Sequence, residues 1–372
     1  MKEKKPMSKN RFKKPLYIVL IVLAALVLLA GIVVKIGFAY INSHLRTENE
    51  NGEGPGVADS SAVEKTVPAL SGNVMNILIC GVDYEDDRSY GKVSGAKTDL
   101  IMLVQLDIKA NKATFLQIPR DTYIDDATLT PDHKINGVYA YGPDKENPIV
   151  NLEKLINDRF KLPVDKYVFL DMEGFKALID TLVYNLGGLE VTLPYDISTT
   201  DETTGKTDVL EAGTHYVDGA TAEAIVRWRH YDQTQDIKRL ETQQYFYAAM
   251  FKVFKSCPLS DWIKVLPVLA QYAYTDFTAE ELPSLLATFN KLGAADITVI
   301  RAPGGPVNGG SHYGLNAEKL APILNQYFRP YSDAVDADEL KLDTPYAYTM
   351  GENEAIIRTM GDVQEKANGA GG

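Results

Sequence analysis

Two aspartates bracket a polar loop in a way that suits a hard cation. The apolar run VMNILICGV ends at Asp83, and the next apolar run opens with Lys97-Thr98-Asp99. If the two runs are neighbouring antiparallel strands, both carboxylates lie at one sheet edge, where they fit a Mg²⁺ that also bridges a phosphate. Either aspartate alone also fits a turn cap. A third run ends in Ile118-Pro119-Arg120-Asp121. An arginine at a strand end, fixed by a preceding proline, is placed to grip an oxyanion bidentately; a surface Arg–Asp ion pair is the alternative. The densest group is Arg227-Trp228-Arg229-His230, followed by Asp236-Ile237-Lys238-Arg239 and Gln243-Gln244. Arg227 and Arg229 point the same way in an extended segment. Arg239 and Gln243 are four apart and share a helical face, and a helix start adds free amides and partial positive charge. Together they fit one phosphate-like anion; a solvated charged face is the alternative.

Other chemistries find no support. The chain has no GxxxxGK[ST], HExxH or GxSxG. Its five histidines include His44, His133, His215 and His312, too dispersed for a histidine metal site. The glycines of APGGPVNGGSHY read as a loop.

The elements that must position these residues follow from periodicity. The run ending at Asp83 reads as a buried strand, and DLIMLVQLDI with KATFLQI reads as a hairpin. Short strands fit residues 167–170, 189–193 and 297–301. Helices fit 149–160, 173–184, 218–227, 239–256, 259–272, 279–291 and 315–328, the apolar residues of 239–256 recurring at three- to four-residue spacing. Strands interleaved with helices imply an α/β layered fold with a mixed sheet.

Composition sets the topology. A chain that is 45% hydrophobic and 24% charged folds rather than staying disordered throughout. Residues 16–34 carry no charge, and about 20 such residues cross a bilayer core. Seven Lys/Arg precede the run against the single acid Glu3, which places the N-terminus in the cytoplasm and the C-terminal bulk outside. The apolar run is too long for a typical cleaved signal peptide. The first 46 residues carry a net charge of +8, so with a total of −12 the remainder carries −20. That balance excludes a general nucleic-acid binder. The predicted organisation is a cytoplasmic basic tail at 1–15, a transmembrane helix at 16–41, a flexible extracellular tether at 42–72, a catalytic domain at 73–331 and a partly disordered appendage at 332–372, its tail disordered from Asp362. Cys80 reads as a buried small hydrophobe, and pairing with Cys257 stays open.

The order of motifs NILICGVD, KTD, QIPRDTYI, HKINGVYAYG, GFKALIDTLVYNLGGLEVTL, VDGATAEAIVRWRH and DIKRLETQQ resembles the LytR-CpsA-Psr family of Gram-positive bacteria over about residues 74–256, and more weakly through 315–328. The resemblance implies a three-layer α/β/α sandwich with a central mixed sheet and a long apolar pocket for a lipid tail. It implies a phosphotransferase that moves an anionic glycopolymer, such as wall teichoic acid or capsular polysaccharide, from a polyprenyl-pyrophosphate carrier to peptidoglycan at the cytoplasmic membrane. By position it assigns Mg²⁺ to Asp83 and Asp99, and pyrophosphate to Arg120, Arg227, Arg229, Arg239, Gln243 and Lys97. Arg120 with Asp99 or Asp121 would serve catalysis, one of the two carboxylates helping to deprotonate the acceptor. The family usually has Arg where Lys97 and Thr242 stand and Gly where Lys238 stands. A non-catalytic polyprenyl-phosphate or wall-polymer receptor, and a pyrophosphate hydrolase, are the other readings.

Overall fold

The computed structural model describes residues 72–83, 97–145, 147–200, 207–228, 235–256, 273–277, 281–342 and 354–369. The apolar run at 16–34, the tether, Arg229, Cys257 and the helix expected at 259–272 lie outside them. Among the described residues no helix is long and apolar enough to cross a membrane.

A seven-stranded mixed sheet organises the chain. Its strand order is Ile356–Thr359, Ile297–Arg301, Lys112–Gln117 (β3), Lys97–Asp107 (β2), Val74–Asp83 (β1), Lys166–Asp171, Ala273–Thr275. The β1–β2–β3 meander is antiparallel, whereas β1 pairs in parallel with Lys166–Asp171 and β3 with Ile297–Arg301. β1 is central, and this explains its continuous apolar run: both faces of the strand are covered. Leu78, Cys80 and Val82 join one core with the helix Ile149–Phe160 and the segment from Ala317–Ile323 into Leu324–Phe328. Ile77, with Met75 and Ile79 against it, joins a second core with the helices Gln235–Ser256, Leu282–Lys291 and Met360–Gly369. Helices on both faces of a mixed sheet give the three expected layers.

Local chemistry sets the helix ends. The Asp171 carboxylate accepts from Gly174 N at 2.6 Å to start Met172–Leu186, and Gly187 closes that helix at φ 86°, a left-handed conformation open to glycine. Asp218 accepts from Thr221 N at 2.8 Å to start Gly219–Arg227.

Three expectations change. The loop read from the APGGPVNGGSHY glycines is a hairpin, Gly304–Val307 paired with His312–Leu315. The long helix begins at Gln235, four residues early. The C-terminal segment is not a disordered appendage: Ile356–Thr359 adds a strand antiparallel to Ile297–Arg301, and Met360, Val363 and Ala367 are buried in the second core. The folded unit thus reaches well past 331. The signal is a capping box in which Thr359 N donates to the Asp362 carboxylate at 2.8 Å and Asp362 N donates to Thr359 Oγ1 at 3.0 Å. Cys80 is a free buried thiol whose pKa burial pushes up, with the nearby Glu153 adding to the effect.

Candidate functional site

The site residues at the sheet edge are placed by a break in register. β1 and β2 pair Gly81 with Leu100 and then Val82 with Thr98, so Asp99 is the extra residue of a β-bulge. A bulge re-aims a side chain, and here the Asp99 carboxylate accepts from Arg120 Nη1. Asp83 closes β1 directly opposite Lys97, so the two aspartates share one end of the β1–β2 pair, and this strand end is the sheet edge of the site.

Arg120 sits in a turn tied on every side. Thr122 N donates to Pro119 O at 3.0 Å, and the Thr122 hydroxyl to the same oxygen at 2.6 Å. Asn136 N donates to Arg120 O at 3.2 Å, and Tyr313 N to Asp121 O at 2.8 Å. Asp121 receives Lys134 Nζ at 2.8 Å. Lys97 Nζ meets the Asp132 carboxylate at 2.8 Å. Burial alone would raise the Asp132 carboxyl, but hydrogen bonds from Lys97 and Thr130 hold it below the usual range, so it is ionised at neutral pH.

The second group belongs to the long helix and the end of the helix before it. Arg227 closes Gly219–Arg227, half-exposed, 3.1 Å from Glu223. Arg239 is only 2% exposed. Gln243 donates to Val226 O at 3.2 Å and accepts from Tyr247 OH at 3.3 Å. It therefore fastens the Arg227 segment to the helix that carries Arg239. Burial pushes the Tyr247 hydroxyl up against the opposing effects of Gln117 and Arg239. Thr242, where the resemblance expects arginine, is fully buried with its hydroxyl 2.6 Å from Tyr195 OH. Tyr195 in turn stacks on Trp228 at 5.5 Å.

Sequence reasoning missed the residue that joins the two groups. Gln117, the last residue of β3, is fully buried; it donates to Leu240 O at 3.2 Å and accepts from Gln244 Nε2 at 2.7 Å. It links the strand leading into the Arg120 turn to the helix carrying Arg239 and Gln243. The one signal was an amide inside the otherwise apolar end of KATFLQI. Asp132 and Lys134 were missed too, because they stand in the polar stretch TPDHK, where charged residues carry no signal of their partners.

No group of three or more His, Cys, Asp or Glu gathers for a metal among the described residues. Mg²⁺ does not require one: it keeps several waters and binds through one or two carboxylates plus substrate phosphates. By residue type, carboxylates at positions 83 and 99 match that donor set, and the pairing of β1 with β2 sets both positions at the same strand ends.

Comparison with known proteins gives this arrangement its relatives. Biofilm regulatory protein A of Streptococcus mutans is 26% identical over 262 residues, 68% of this chain and 62% of that protein. The polyisoprenyl-teichoic acid–peptidoglycan teichoic acid transferase TagV of Bacillus subtilis is 26% identical over 292 residues, 73% of this chain and 71% of that one. The crystal structure of B. subtilis TagV shares the fold at a TM-score of 0.55 and 23% identity, covering 71% of this chain and all of that one. A LytR-Csp2A-Psr enzyme from Actinomyces oris does so at 0.54 and 21%, covering 74% and 96%. The LytR_cpsA_psr family model matches residues 39–329, and the chain belongs to that family.

Proposed function

We propose that this protein is a phosphotransferase that attaches an anionic glycopolymer, carried on a polyprenyl pyrophosphate, to peptidoglycan. The observation that carries the reading is the bulge at Asp99, which brings a carboxylate onto Arg120 at the sheet edge, with Gln117 linking that edge to the helix of Arg239 and Gln243. The names of relatives such as TagV and the teichoic acid transferase TagU of Oceanobacillus iheyensis support it.

The reaction asks for charge neutralisation and positioning more than for covalent chemistry. The acceptor hydroxyl oxygen attacks the phosphorus bonded to the polymer. A new P–O bond forms, the pyrophosphate P–O bond breaks, and polyprenyl phosphate leaves with the bond's electron pair. The hydroxyl proton passes to Asp99 or Asp121; loss of rate in Asp121→Ala selects Asp121, and an unchanged rate removes it. The non-bridging oxygens are assigned to Arg120, Arg227 and Arg239, with Arg229 added by the family pattern alone, and Gln243 holds the Arg227 segment in place. Asp83 and Asp99 would hold Mg²⁺, which when bound spreads the negative charge of the pyrophosphate. On this reading residues 16–41 anchor the protein in the cytoplasmic membrane with the catalytic domain outside, where both substrates are within reach.

Each charge-assisted contact contributes about 1.5–3 kcal/mol, so losing Arg120 lowers the rate by roughly one to two decades. The test uses the full chain in detergent with a polyprenyl-pyrophosphate-linked sugar, nascent peptidoglycan and Mg²⁺. Conjugate formed by wild type and strongly reduced in Arg120→Ala is the expected result. Donor binding without release of polyprenyl phosphate refutes catalysis and leaves a receptor, the reading favoured by Thr242 standing where the resemblance expects a cation. Free polymer phosphate without conjugate would identify a hydrolase.

A further inference from the structure

Beside the sheet edge lies a cluster that the pyrophosphate chemistry does not use. Tyr141 ends the short helix Val138–Tyr141 and is 37% exposed. Lys97 Nζ stands 6.0 Å from its ring centroid and 2.8 Å from Asp132, and the side chains of this ion pair are 35% and 35% exposed. The Thr130 hydroxyl donates to Asp132 Oδ1 at 2.7 Å, and His312 Nε2 lies 3.0 Å from Asp132 O, fixing that residue from behind. All of this closes over Gly137, where a Cβ would stand 2.4 Å from Thr130 Oγ1 and 3.1 Å from both Asp132 Oδ1 and Tyr141 Cδ2. Only glycine leaves room for the arrangement.

The charges of Lys97 and Asp132 cancel, so the cluster is a poor match for a pyrophosphate. It is a good match for a pyranose: a partly exposed aromatic ring for the sugar's C–H bonds, a carboxylate to accept from hydroxyls, and an ammonium to donate. Placement decides which sugar. The 130–141 segment buries Ile135, Val138 and Tyr139 on one face of the sheet, whereas the arginine-bearing helix buries Tyr245, Ala248 and Phe251 on the other. Asp83 and Asp99 lie at the edge between, Lys97 opposite the first and two residues before the second. In-line displacement at phosphorus needs the nucleophile and the leaving group on opposite sides. With Arg239 on the helix side and Arg120 joined to Asp99 at the strand ends between, the Tyr141 side is left for the attacking hydroxyl.

We infer that Tyr141, Lys97 and Asp132 form a subsite for one sugar ring of the acceptor glycan; the inference rests on the transferase reading above and assigns Lys97 to the acceptor instead of the pyrophosphate. The ring of Tyr141 supplies the apolar platform, and Asp132 and Lys97 fix the hydroxyls. His312 and Gly137 act as positioning residues for Asp132.

The test is calorimetric titration of the full chain in detergent with three probes: an N-acetylglucosamine–N-acetylmuramic acid tetrasaccharide, farnesyl pyrophosphate, and farnesyl-pyrophosphoryl-N-acetylglucosamine. Tyr141→Ala should weaken the tetrasaccharide about tenfold, the size of one lost aromatic contact. It should leave both farnesyl compounds unchanged, and Tyr141→Phe should bind the tetrasaccharide like wild type. Gly137→Ala, whose methyl group would press on Thr130 Oγ1, Asp132 Oδ1 and the Tyr141 ring together, should weaken the tetrasaccharide selectively as well. Equal tetrasaccharide affinity in wild type and Tyr141→Ala overturns the inference. So does a loss confined to the sugar-bearing farnesyl compound, which would place the donor's sugar here, or a loss of both farnesyl compounds, which would return the cluster to the pyrophosphate. These titrations involve no turnover. If wild type forms no conjugate while Tyr141→Ala still weakens the tetrasaccharide, the transferase reading fails and the sugar subsite stands.

Discussion

Replacing Gln117 with leucine tests whether the two halves of the site are one unit. The side chain is fully buried; it donates to Leu240 O at 3.2 Å, accepts from Gln244 Nε2 at 2.7 Å, and lies against the Tyr247 hydroxyl, which keeps Gln243 as a partner when Gln117 is lost. The two losses differ in weight. Leu240 lies within the Gln235–Ser256 helix, so its carbonyl keeps a helical hydrogen bond, and a second lone pair left empty costs little. Gln244 is 2% exposed, and its amide loses a buried acceptor. An orphaned buried donor costs about 1–3 kcal/mol, so Gln117→Leu should destabilise by about 2 kcal/mol. Removing both amides in the double variant Gln117→Leu, Gln244→Leu should cost less than the single change, because no orphan remains; Arg358 retains Glu241 at 3.2 Å. Urea midpoints of the full chain in detergent measure both. Transfer rates should fall in both variants, since the strand entering the Arg120 turn has lost its tie to the arginine-bearing helix. A neutral single variant, or a double variant that sums two equal losses, refutes the bridge.

Thr242→Arg, which restores the residue implied by the resemblance, should lower stability by about 1–3 kcal/mol and fail to raise activity, because the fully buried position is packed on Tyr195; thermal melts and turnover check it. Val363→Asp buries an unpaired carboxylate in the second core and should cost about 3 kcal/mol or more, read as loss of soluble protein or a lowered urea midpoint. The carboxyls of Asp218, by its cap bonds to Thr221, and of Asp132, by the bonds from Lys97 and Thr130 that outweigh its burial, lie below their ordinary values. Their contribution to stability is therefore full above about pH 3.9 and lost as pH falls through the folded-state values, so Asp218→Asn should flatten the acid limb of a urea-midpoint profile and leave pH 7 nearly unchanged.

How much was legible depends on how local the signal is. The central strand showed itself because both of its faces are buried. The Met172–Leu186 helix showed itself because Asp171 starts it and Gly187 ends it within fifteen residues. Arg120 was found because the proline before it marks a turn. Asp99 was found by type, but its aim was not readable: the bulge exists only in the pairing of β1 with β2. Asp132 and Lys134 reach Lys97 and Asp121 from a separate segment, and no pattern within either segment announces the partner. The C-terminal strand and helix were missed because their apolar residues are few. What holds them is an edge of the sheet formed by residues 297–301, far away in sequence.

The departures from the resemblance acquire a common physical meaning in the structure. At Lys97 the cation is held by Asp132, and at Thr242 a hydroxyl closes on Tyr195 instead of presenting a charge. Both positions have been drawn into contacts with their own neighbours. On the transferase reading, the positive charge left for an anionic substrate is that of Arg120, Arg227 and Arg239, with Arg229 assigned by the resemblance alone. Of these, Arg239 is enclosed within the protein and Arg120 already meets Asp99. On the transferase reading, such a site grips its donor with fewer cations and depends more on the Mg²⁺ assigned to Asp83 and Asp99. It also frees the Lys97 side of the sheet edge for a neutral sugar. Lysine and threonine where the resemblance implies arginine, and the glycan platform inferred above, are on that reading one feature seen from two faces of the sheet.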